Sequence, residues 1–141
     1  MITGSLKLSN YSNWRVHYFM MASPCDTNII LQALSQIKCS PKFTRKAEKL
    51  LKSKRYNKGL TYTKPRLRET IIVISESTDI GEFFNTFAHE IDHAEKHIAK
   101  ALDFSPYSER ASYLVGEIVR EMIYTLIKKY YVRTNKCPRH K

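Results

Sequence analysis

Five residues in the second half of the chain, His89-Glu90-Ile91-Asp92-His93, carry the pattern H-E-x-x-H. Side chains four apart on a helix share a face, so the two imidazoles can grip one cation between them. Neutral imidazole is a good zinc ligand, and two His with one carboxylate leave a coordination position open for water. Glu90, beside the first ligand, then serves as the general base that takes a proton from that water. Such chemistry asks three things of the remaining chain: a helix through 89–93, a third ligand, and a surface that brings a substrate to the ion.

The helix is well specified. Phe84, Phe87, Ala88, Ile91, Ala94, Ile98, Ala101 and Leu102 recur at three- and four-residue spacing and predict a helix over about 78–102. Ser77 or Thr78 can cap it, and Asp79 and Glu82 suit its positive end. Asp103-Phe104-Ser105-Pro106 breaks it, with Ser105 the expected cap of a last helix over about 107–131, striped by Leu114, Ile118, Met122 and Leu126. Upstream, strands are predicted at 14–21, 60–63 and 70–75. The run Ile71-Ile72-Val73-Ile74 reads as buried on both faces. Two further helices lie between the first two strands. One starts at Asp26 or Thr27, with Ile29, Ile30, Ala33, Leu34 and Ile37 on one face. The other runs over about 42–55, with Phe43, Ala47, Leu50 and Leu51 inward. This order predicts an α+β fold.

With the motif placed mid-helix behind a hydrophobic strand, the chain over about 70–124 resembles the zincin metallopeptidases. The resemblance implies a small zincin-like domain, in which a short β-sheet packs on the H-E-x-x-H helix and a following long antiparallel helix. It also implies one zinc ion on His89 and His93, Glu90 as catalytic base, and hydrolysis of a peptide or protein substrate aligned as an added strand on 60–63 or 70–75. A metzincin needs Gly three and His six residues after His93, where Lys96 and Ala99 stand. The repair-type branch needs a third His downstream, and after His97 the next is His140 in the tail. The gluzincin branch takes its third ligand from a Glu on the next helix, for which Glu109 and Glu117 are the candidates. A helix reaching Leu102 rises about 13 Å past His93, so a tight return from Pro106 brings Glu117 level with the histidines. Gly116 would permit close approach there, and Glu121 would orient His89 by hydrogen bonding its ring. A first helix ending near His97 would favour Glu109 instead.

Three more features bear on chemistry. His97 continues the face of His89 and His93, but lies about 12 Å along the axis from His89 and cannot share its ion. Cys137-Pro138-Arg139-His140 has a C-x-x-H look. Tyr113 and Tyr124 could help an oxyanion, although either serves as well in packing.

The 141 residues hold 24 Lys+Arg against 13 Asp+Glu, and the charge is segregated. Residues 41–68 carry 11 basic residues opposed only by Glu48, residues 69–127 carry 4 basic and 11 acidic, and residues 128–141 carry 6 basic and no acid. Two basic flanks thus bracket an acidic middle, and both 41–68 and the C-terminal tail could meet nucleic acid or another polyanion. The alternative reading is accordingly a non-catalytic basic binding domain whose metal site is structural or vestigial. Domain organisation is expected to be one domain over 1–132 followed by a basic tail over 133–141. With 43% hydrophobic residues, 4 Gly and 5 Pro, the chain is neither collagen-like nor wholly disordered. Three cysteines without C-x-x-C spacing argue against a disulfide framework. No signal peptide or transmembrane run is visible, so no membrane partner and a cytoplasmic location are expected.

Overall fold

The computed structural model describes residues 1–135. Four strands, β1 (Ile2–Leu8), β2 (Trp14–Ala22), β3 (Gly59–Lys64) and β4 (Glu69–Ser75), and four main helices, α1 (Thr27–Gln36), α2 (Pro41–Lys52), α3 (Ile80–Ala101) and α4 (Glu109–Asn135), make the expected α+β order. The sheet runs β1-β2-β4-β3. β1 pairs antiparallel with β2, from Ile2 opposite Met20 to Leu8 opposite Trp14. β2 runs parallel to β4, and β3 closes back antiparallel on β4, with Thr61 opposite Ile72.

Alternation along the inner strands divides the interior in two. Trp14, Val16, Tyr18, Met20, Ile72 and Ile74 face α3 and α4, where Phe83, Phe87, Ile91, Ala94, Ile98, Leu114, Ile118 and Met122 meet them. Phe19, Ile71 and Val73 face the other way, onto Ile30, Leu34, Ala47 and Leu51 of α1 and α2. A parallel connection from β2 to β4 needs a long crossover, and α1 and α2 lie within it. Burial on both faces is why β4 reads as an unbroken apolar run. β1 was not anticipated: its residues alternate in exposure as an edge strand's do, and in I-T-G-S-L-K-L only Ile2 and Leu8 are buried.

Helix boundaries depart from expectation at the caps. Asp79, rather than Ser77 or Thr78, caps α3, its carboxylate accepting from the Glu82 N–H at 2.8 Å. α4 begins at Glu109 and not at Tyr107, because Ser108 accepts from the Ala111 N–H at 3.2 Å while Ser105 closes a separate turn onto Tyr107. Among the described residues no helix is long and apolar enough to cross a membrane.

Candidate metal centre

α3 lies over β3 and β4 with Ile91, Ala94 and Ile98 in the core, which turns the opposite face of the helix outward. His89 and His93 occupy that exposed face one turn apart. Their Nε2 atoms approach to 3.1 Å, with the rings edge to face. A tetrahedral zinc with bonds of 2.0–2.1 Å sets its ligand atoms about 3.3 Å apart, so this pair is spaced as two ligands of one ion would be.

Glu90, between the two histidines in sequence, turns toward β3 and is 3% exposed. Thr61, on the facing strand β3, donates its hydroxyl to Glu90 Oε1 and to the Glu90 backbone carbonyl, each at 3.2 Å. Burial pushes the Glu90 carboxyl above its ordinary pKa, while the nearby His93, the Thr61 hydroxyl, His89 and Lys46 each pull it part of the way back. A carboxyl whose pKa burial raises is a stronger base than an ordinary carboxylate, which suits it to receive a proton. Gly59 makes room for it: a Cβ there would come within 2.6 Å of Glu90 Cγ. In the sequence, Asn57-Lys58-Gly59 signals only a turn, so neither the cradle role of Gly59 nor the bond from Thr61 is announced.

The cleft is about 510 Å³, bounded by α2 on one side, α3 on the other and the start of β3 between them. Phe43, Lys46 and Leu50 come from one stripe of α2; Thr86, His89, Glu90, His93 and His97 come from α3. His97 is fixed from behind. Trp14 Nε1–H donates to Thr70 Oγ1 at 2.9 Å, Thr70 and Thr63 share a hydroxyl bond of 2.9 Å, and Thr63 Oγ1 meets His97 Nδ1 at 2.8 Å. Burial, His93 and Lys100 all favour the neutral form of His97.

The candidate third ligands lie elsewhere. α4 packs over β1 as well as against α3. Glu117 is near enough to Tyr11, and Glu121 to Tyr18, to raise those hydroxyl pKa values, though burial is the larger cause in both. The two carboxylates thus serve the β1–β2 side of α4, and neither lines the cleft. Glu109 is exposed at the first position of α4 and does not line it either. Gly116 has nothing within 4 Å of an added Cβ, so it mediates no close helix approach. Tyr113 and Tyr124 are exposed on α4 and are not among the residues lining the cleft. Among the described residues no group of three or more His, Cys, Asp or Glu side chains is gathered as a metal site. Cys137 and His140 lie outside the described residues.

Comparison with known proteins returns no match, whether to family models, to curated proteins or to solved structures.

Proposed function

We propose that the chain is a small zinc-dependent metallopeptidase of zincin type, with His89 and His93 holding the ion and Glu90 acting as general base. One observation carries this reading: two Nε2 atoms 3.1 Å apart at a cleft whose next residue along the helix is a buried carboxylate. Two of the three protein ligands that a catalytic zinc site uses are spaced for the ion, and among the described residues no third is gathered with them. When bound, zinc supplies Lewis acidity that polarises a peptide carbonyl and acidifies water. Glu90 takes the proton of the attacking water and returns it to the departing amine nitrogen. Thr61 holds the carboxylate in place through that cycle.

The substrate is best presented by β3. β4 is paired on both sides, by β2 and β3, so it has no free edge to offer, and of the two strands proposed to align substrate only β3 remains. Lys58 turns its carbonyl to Ser75 N–H at 2.8 Å. By the alternation of an antiparallel ladder, Gly59, Thr61 and Thr63 then direct their backbone groups to the open side. A peptide added there runs beside Glu90.

A second reading, a basic polyanion-binding domain without catalysis, is favoured by the exposed Lys42, Arg45, Lys46 and Lys49 of α2. The two readings part on metal content and turnover. Glu90→Gln should keep bound zinc and lose about 10²–10⁴-fold in hydrolysis of an unfolded protein substrate. His89→Ala and His93→Ala should lose both zinc and activity, whereas Glu117→Ala and Glu109→Ala should keep both. A parent that takes up no zinc, or a Glu90→Gln variant that cleaves as fast as the parent, removes the peptidase reading. Inactivity together with steeply salt-dependent nucleic-acid binding selects the second.

A further inference from the structure

The cleft beside β3 is charged as well as open. Lys46 projects from the α2 wall and Lys58 stands at the entry to β3, and both are exposed. Among the described residues neither makes an ion pair: the lysine ion pairs are Lys52 with Glu48 and Lys96 with Asp92, both between residues four apart on one helix. Lys58 is held in position through its backbone, its N–H on Ser75 Oγ at 2.9 Å and its carbonyl on Ser75 N–H at 2.8 Å. Asn57 ties the preceding turn to the start of the α3 segment, accepting the Thr78 N–H at 3.0 Å. Among the described residues Glu90 is the single acid lining the cleft, and it is buried. The other walls are apolar (Phe43, Leu50, Leu60) or neutral and polar (Asn57, Thr61, Asn85, Thr86).

An occupant that satisfies these groups has three attributes. It offers backbone donors and acceptors to the unpaired edge of β3, some apolar surface to Phe43 and Leu50, and negative charge to Lys46 and Lys58. We propose that the cleft selects acidic segments of polypeptide, laid as a strand on β3 with carboxylate side chains on Lys46 and Lys58. This specificity rests on the peptidase reading for its consequence, but the binding it describes does not require turnover. A nucleic acid strand would use the lysines yet leave the edge of β3 without partners, whereas an acidic peptide satisfies both.

Binding can be read on full-length, zinc-loaded Glu90→Gln protein, so that cleavage does not intervene. Fluorescence anisotropy would compare a short labelled peptide alternating Glu with Val, the same peptide with Lys for Glu, and a single-stranded oligonucleotide. The acidic peptide should bind, the basic one should not, and the oligonucleotide should be the weaker anion. Lys46→Gln with Lys58→Gln should weaken the acidic peptide by about tenfold, while Lys42→Gln with Lys49→Gln, off the cleft, should leave it nearly unchanged. All four lysines are exposed, and circular dichroism of each variant confirms that the fold is kept. Equal losses from both pairs, or an oligonucleotide that outcompetes the acidic peptide, would overturn the proposal. If the parent hydrolyses basic or neutral peptides while the acidic one fails to bind, the substrate class is wrong and the peptidase reading survives. If the acidic peptide binds and is never cut, the binding site stands and the peptidase reading fails.

Discussion

As the proposed general base, Glu90 has three demands to meet: to be close to the ion, dry enough to take up a proton, and still able to release it. Its neighbours on β3 meet the last two, through the Thr61 hydroxyl and the space above Gly59. Substituting Gly59→Ala drives a methyl group against the Glu90 side chain, so β3 or the carboxylate must shift, at a cost of about 1–3 kcal/mol in stability. Thr61→Val keeps the shape and removes only the hydroxyl. Peptide hydrolysis should fall in both variants with zinc content unchanged, and parallel metal analysis and rate measurement would show it. Unaltered rates in both would mean that β3 does not position the base. The motif itself was legible, because i,i+4 spacing alone brings two rings to one face. Gly59 and Thr61 were not, since their roles exist only once β3 is folded over α3. The surroundings of Glu117 were not legible for a related reason: helix rise gives its height but not the direction in which its side chain turns, and it stands near Tyr11 and not among the residues lining the cleft.

At the scale of elements, periodicity found the four main helices and three of the four strands, while end chemistry was harder to read. Ser77, Thr78 and Asp79 are all competent caps, and Ser105 and Ser108 likewise compete, so the choice falls to the path of the incoming chain. In both cases the residue nearest the apolar stripe won. Replacing Ser108 by Ala should therefore destabilise the protein by about 1 kcal/mol, with Ser105→Ala costing less, as read from chemical denaturation. A larger loss from Ser105→Ala would place the start of α4 back at the notional earlier cap. β1 escaped notice because Gly4 interrupts the apolar side on which Ile2, Leu6 and Leu8 alternate with Thr3, Ser5 and Lys7, and because it is held by pairing with β2.

At the scale of the whole molecule, Glu95 is a buried group that works against the fold. Glu95 is 4% exposed, and its Oε1 has no hydrogen-bond partner. Burial first, and the charge of Asp92 second, raise its pKa, with Lys96 opposing. A carboxyl whose folded pKa lies above the unfolded value adds stability below the unfolded pKa and loses it as pH rises through the folded one. Glu95→Leu should thus gain about 1 kcal/mol over the parent near pH 7, with the advantage shrinking toward about pH 4 where the parent is protonated. Urea unfolding of the metal-free protein across that range is the measurement, and a pH-independent difference would assign the effect to packing alone.

The unpaired margin of β3 has a consequence for how copies of the protein treat one another. Such a margin invites a neighbour's strand, and here it is bounded by Lys58 and Lys64 within a segment that carries ten more positive than negative charges. Two identical margins repel at low ionic strength. Once salt shortens the screening length to about 3 Å near 1 M, that repulsion is lost while backbone pairing persists. The apparent mass in light scattering should then climb with added sodium chloride, the reverse of what charge-mediated clustering would give.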